Sequence, residues 1–163
     1  MAEITRRTVG AGLATLVATG GLVRAQGAAA AGEYPVTFTD AEWRRRLTAA
    51  QYTVLRRDGT ERAYSSPLDG EKRAGTFACA GCDQPLFSSA SKYDSGTGWP
   101  SFGEALPGAT GRSEDRSFGT VRTAAHCARC GGHLGHVFDD GPPPTGKRWC
   151  MNGVAMRFKP GRG

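Results

Sequence analysis

Five cysteines stand in this chain, and four of them fall in two pairs. Cys79 and Cys82 form "CAGC"; Cys127 and Cys130 form "CARC". A C-x-x-C unit with glycine inside or beside it folds into a tight knuckle whose sulfurs face one ion. Two such knuckles supply a tetrahedral four-sulfur site suited to Zn²⁺. Forty-four residues separate the pairs, more than in a compact zinc ribbon, so the spacing predicts knuckles on two separate hairpins tied together by the metal. Two disulfides are the alternative in an exported chain, although cysteines with only two residues between them rarely bridge without strain. Four ligands leave no open coordination position, so such a site is structural.

Cys150, in "KRWCMNGVAMRF", has no mate. A free cysteine is by default a small buried hydrophobe. Its neighbours point elsewhere. Arg148 and Asn152 lie two residues to either side and share its face if the segment is a strand. A nearby cation lowers a thiol pKa, and an amide offers both a donor and an acceptor. "GGHLGHVF" places His133 and His136 three residues apart, directly after the second knuckle. A lone H-x-x-H also fits a second metal site or plain surface histidines. With a thiolate, an arginine and an asparagine, the two imidazoles make a thiol-based acid–base site.

These groups need elements to hold them. Gly 24 and Pro 9 in 163 residues make a turn-rich chain, and long helical patterns are scarce, so a mainly β fold of one domain is expected. Two short helices precede it. Thr39 with Glu42 forms a capping box, and Trp43 and Leu47 share a helical face; Thr48 caps a second helix through Leu55 that stops at Asp58–Gly59. After Gly75 the chain becomes short β-like runs divided by glycine turns.

Residues 1–32 read as an export signal and linker, ahead of a domain over 33–163. Arg6 and Arg7 precede a soft apolar run from Val9 to Val23 and then small residues. The run is too short and glycine-rich for a membrane span, and no cysteine there could carry a lipid. The arginine pair resembles a twin-arginine signal, with Sec export as the alternative. A periplasmic or exported location, with no stable membrane anchor, is expected. Removing the segment before Gln26 lowers the net charge from +6 to +4, the ordinary colloidal charge of a soluble protein.

"SGTGWPSF", "HLGHVFDDGPPPTGKRWCMN" and the two knuckles, in this order and spacing, resemble the B-type methionine sulfoxide reductases, from about Glu42 to Phe158. The resemblance implies a mainly β fold: two antiparallel sheets in a small zinc-stapled domain with short N-terminal helices, the zinc lying away from the active site. It implies thiol-dependent reduction of methionine (R)-sulfoxide, mainly within proteins. Cys150 would be the nucleophile and become a sulfenic acid. His133, His136 and Asn152 would surround the sulfoxide oxygen, and Arg148 would support the thiolate. Trp99 would wall the pocket for the substrate methyl, with Phe138 a weaker candidate; core packing is the plainer role for Trp99. Cys79, Cys82, Cys127 and Cys130 would hold one structural Zn²⁺. Some members carry a resolving cysteine two residues before the tryptophan. Here Thr97 stands in that place, so a monomeric enzyme regenerated by an external thiol, such as a thioredoxin-like donor, is expected. The partners are then oxidised proteins and that reductant.

Two other functions compete. A zinc module binding nucleic acid would need a basic stripe with interleaved aromatics. Only Arg44–Arg46 and Arg56–Arg57 cluster, on helices where they read as solvated faces, so no nucleic-acid partner is expected. A thiol–disulfide oxidoreductase would use a C-x-x-C as its redox pair, and both pairs are better suited to zinc.

Overall fold

The computed structural model describes residues 34–161. The export segment expected over 1–32 lies outside them. Helix α1 (Asp40–Arg46) starts at Thr39 and helix α2 (Ala49–Arg57) at Thr48, each closed by a reciprocal capping box, with Glu42 and Gln51 as the returning side chains. Helix α2 ends on Asp58 in the left-handed conformation, φ 53°, a conformation that aspartate tolerates better than most residues. Trp43, Leu47, Tyr52, Val54 and Leu55 are buried, which fixes the helix pair on the domain.

Nine strands follow: β1 (Gly75–Cys79), β2 (Pro85–Ser88), β3 (Lys92–Tyr93), β4 (Ser101–Phe102), β5 (Thr110–Asp115), β6 (Arg122–Cys127), β7 (His133–Phe138), β8 (Arg148–Met151) and β9 (Met156–Pro160). They form two antiparallel sheets, ordered β2-β1-β9 and β3-β4-β8-β7-β6-β5. The inner faces meet through aromatic rings. Phe102 of the larger sheet stacks on Phe87 at 4.3 Å and meets Phe77 edge-on at 4.9 Å. Fully burying one such side chain stabilises the fold by roughly 1.5–3 kcal/mol.

Alternation on β8 decides the position of Cys150. Trp149 and Met151 turn into the core, so Arg148 and Cys150 turn to the other face. A slip of one residue in register would bury the thiol and expose the tryptophan. The pairing His136↔Cys150 on one side and Ser101↔Cys150 on the other puts all three in one row across the sheet. Gly135 permits this close approach: a Cβ there would lie 2.2 Å from the Cys150 carbonyl oxygen.

Candidate active site and metal centre

The four paired cysteines converge as their spacing predicts. The first knuckle closes the β1–β2 hairpin and the second the β6–β7 hairpin, so the cluster joins the small sheet to the large one. Their sulfurs all lie within 4.8 Å of one another, with Cys79–Cys130 at 3.7 Å and Cys82–Cys127 at 3.6 Å. Tetrahedral zinc–thiolate bonds of 2.3 Å require sulfur–sulfur edges of about 3.8 Å, so this set fits Zn²⁺ as a closed structural site. None of the four forms a disulfide. The Arg56 guanidinium donates to the Cys130 carbonyl at 2.9 Å, which ties helix α2 to the second knuckle.

The reactive-type side chains gather on the outer face of the large sheet. A cavity of about 190 Å³ is lined by Cys150, His136, Asn152, Trp99 and Phe138, together with Thr60, Arg122 and Gly135. This is room for one long side chain. Trp99 and Phe138 supply its apolar walls. His133 is buried and lines the adjoining polar cleft, which shares Thr60, Arg122 and His136 with the cavity.

His136 Nε2 lies 2.7 Å from Asp115 Oδ2. The Ser117 hydroxyl and amide, and then His136, hold the Asp115 carboxyl well below the usual carboxylate range. Asp115 is therefore an acceptor, Nε2 of His136 carries the hydrogen, and Nδ1 is left to take or give a proton. Burial pushes the His133 pKa down, so this imidazole is neutral at pH 7. Its Nδ1 stands 3.9 Å from Asp58, and its buried Nε2 has no hydrogen-bond partner.

Arg148 shares the Cys150 face as the strand pattern predicts, but its guanidinium forms a two-pronged bond to Asp140, 2.8 Å on each prong, and lies over Phe138 at 4.3 Å. It reaches the thiol through its charge rather than by contact, and its second effect is to fix the Phe138 wall. Asn152 is likewise committed. Its Oδ1 accepts from the Glu61 amide at 2.8 Å, and its Nδ2 donates to the Leu134 carbonyl at 3.0 Å. One amide hydrogen remains for the cavity.

Glu61 is the residue that spacing did not reveal. Its carbonyl accepts the Trp99 indole hydrogen at 3.2 Å, and its amide serves Asn152. Its carboxylate accepts from the Gly153 and Val154 amides at 2.6 and 2.9 Å. One residue of a loop thus fastens the cavity wall, the amide and the turn after β8. Glu61→Gln keeps an acceptor for one of those amides, turns an N–H toward the other and removes the charge. It is expected to lower unfolding stability by about 1–3 kcal/mol, read from the urea midpoint; an unmoved midpoint contradicts this role. Nearby, Tyr64 adopts φ 61° and covers the turn before Trp99, its amide donating to the Gly98 carbonyl at 2.7 Å. Gly98 has φ 84°, and a Cβ there would lie 2.7 Å from the Tyr64 ring, so only glycine fits.

Four of the five clustered arginines are occupied within the protein. Arg44 pairs with Asp40, Arg46 lies over Phe38, Arg56 lies over Trp43, and Arg57 bonds to Tyr52. Among the described residues, no helix is long and apolar enough to cross a membrane.

The SelR domain model matches residues 47–160. A protein of Agrobacterium fabrum named peptide methionine sulfoxide reductase MsrB is 52% identical over 126 residues, covering 77% of this chain and 93% of the relative. Proteins of the same name from Thiobacillus denitrificans and Leifsonia xyli subsp. xyli are 53% and 52% identical over 123 and 131 residues. Those alignments cover 75% and 79% of this chain, and 93% and 94% of the relatives. The SelR match spans the knuckles, both histidines, Trp99 and Cys150, and together these matches place the chain in the SelR family of B-type peptide methionine sulfoxide reductases.

Proposed function

We propose that this protein reduces methionine (R)-sulfoxide, chiefly in proteins, to methionine, with Cys150 as the nucleophile. The observation that carries the reading is a thiol that shares one side-chain-sized cavity with an aromatic wall and an Asp115-held imidazole. The Cys150 thiolate attacks the sulfoxide sulfur while the oxygen takes a proton. The oxygen passes to the cysteine sulfur, methionine leaves, and a sulfenic acid remains. His136 is the proton donor: Asp115 holds the ring through Nε2, which leaves Nδ1 to pass the proton. His133, neutral and unpartnered at Nε2, and the spare Asn152 hydrogen line the path by which the oxygen is held. Trp99 and Phe138 receive the methyl and methylene groups. Arg148 brings its charge to the Cys150 side of the sheet and keeps Phe138 in place. Bound at the four cysteines, Zn²⁺ has no part in the chemistry; Cys79, Cys82, Cys127 and Cys130 hold the sheets that carry the site.

The sulfenic acid has no internal partner. The other four cysteines form the metal cluster, and Thr97 faces Cys150 where a resolving thiol could stand. An external thiol therefore displaces water from the sulfenic acid to give a mixed disulfide, and a second thiol releases Cys150 as a disulfide of the reductant. The arginine pair in residues 1–32 supports export by the twin-arginine route, which carries folded, metal-loaded domains. The domain over 33–163 would then work as a monomer outside the cytoplasm, with a thioredoxin-like donor as its reductant.

The regeneration step has a direct test. After oxidation by substrate without reductant, the intact mass is expected to rise by one oxygen and, with dimedone, by one adduct located on Cys150. A stable internal disulfide involving Cys150 contradicts the one-cysteine cycle.

A further inference from the structure

On the side of Cys150 facing β4, a row of hydroxyls begins. Thr97 Oγ1 lies 3.8 Å from Cys150 Sγ, and Ser95 Oγ lies 2.8 Å from Thr97 Oγ1. Ser101 Oγ lies 2.7 Å from Ser95 Oγ, and its hydroxyl donates to the Trp99 carbonyl at 3.1 Å. Ser101 is fully buried, and its backbone pairs directly with Cys150. A carbonyl can only accept, so this last bond gives the row a direction. Ser95 donates to Ser101, Thr97 to Ser95, and the Cys150 thiol to Thr97. In the thiol form every contact has its hydrogen.

Ionisation removes one hydrogen from the row. If the direction persists, the thiolate faces a Thr97 lone pair. If the row turns over, Thr97 donates to the thiolate, Ser95 to Thr97 and Ser101 to Ser95, and the Trp99 carbonyl loses its bond. A hydroxyl bond to a full negative charge is about twice as strong as a neutral one, so the turned-over row is favoured once the proton has left. We propose that Thr97, Ser95 and Ser101 are positioning residues for Cys150, a hydroxyl chain that reverses its direction when the thiol ionises. Thr97 then serves the thiolate, while the Trp99 carbonyl opposes the reversal. The inference deepens the reading of Cys150 as nucleophile and rests on it for its meaning. It also gives Thr97 a task in a chain that lacks a resolving cysteine.

Other charged or titratable groups also surround the sulfur. They are His136 of β7 with Asp115, Arg148 of β8 with Asp140, Arg122 of β6 and Tyr93 of β3. Substitutions in the hydroxyl chain leave these in place. The test is the pH profile of Cys150 alkylation by iodoacetamide in the full zinc-loaded chain, without substrate, with the modified peptide identified by mass. Thr97→Val removes the donor to the thiolate and is expected to move the midpoint up by about half to one pH unit. Thr97→Ser keeps the donor and leaves the midpoint in place. Ser95→Ala and Ser101→Ala free Thr97 from the pull of the Trp99 carbonyl and move the midpoint down by a similar amount. Ser95 is less buried than Ser101, so Ser95→Ala carries the test if the Ser101 variant fails to fold. A Thr97→Val profile superimposing on wild type overturns the proposal. So does a Ser95→Ala profile that stays in place or moves up. Alkylation needs no turnover, so these outcomes remain separate from failure of the catalytic reading, which would appear as turnover that does not need Cys150.

Discussion

Cys150→Ser is expected to lower turnover of a methionine (R)-sulfoxide substrate by roughly four orders of magnitude or more, the scale of loss when an enzyme gives up its attacking atom. A serine hydroxyl is barely ionised at neutral pH and is a poor nucleophile toward sulfur. The remaining cysteines cannot substitute, because all four are gathered at the junction of the sheets. The fold should be indifferent to the change. Cys150 points away from the core that Trp149 and Met151 enter, and its side chain meets Thr97 and the cavity. The check is a dabsylated sulfoxide assay with dithiothreitol, run beside thermal melts and zinc content. Turnover close to wild type in a folded variant contradicts the assignment.

Removing zinc is expected to have the largest effect on stability. Structural zinc contributes about 10–16 kcal/mol to folding in small domains, against a total stability of about 5–15 kcal/mol for a typical protein. Here the ion joins two hairpins from different sheets, and Cys79 and Cys127 are fully buried. Without it, close-packed thiols remain at the junction and the sheets lose their cross-link. Cys79→Ser, or wild type stripped by a strong chelator, should therefore show a broadened or lost melting transition. Activity should fall with it, since the second knuckle opens directly into β7, which carries both histidines. A melting curve unchanged by either treatment contradicts the structural role of the metal.

Some of this is legible in the sequence alone. The Thr39 and Thr48 caps, the knuckles on two hairpins and the orientation of Cys150 follow from local rules: capping boxes, C-x-x-C geometry and the two-residue period of a strand. What stayed hidden comes from distant segments. Glu61 lies 91 positions from Asn152 in the chain, within a loop that has no period to read. Asp115 meets His136 because β5 and β7 both flank β6, and no motif links them. Arg148 and Asn152 stand out by their place on the Cys150 face, yet their hydrogen bonds go mostly to Asp140, Glu61 and Leu134. Spacing can place a side chain on a face; it cannot show which partner has already taken its donors and acceptors.

The most direct test of the account is stereochemical. Racemic dabsyl-methionine sulfoxide is incubated with the zinc-loaded protein and excess dithiothreitol, and both epimers are followed by chiral chromatography. The R epimer is expected to be consumed to completion while the S epimer stays at its starting level. Consumption of the S epimer, or no loss of either one, contradicts it.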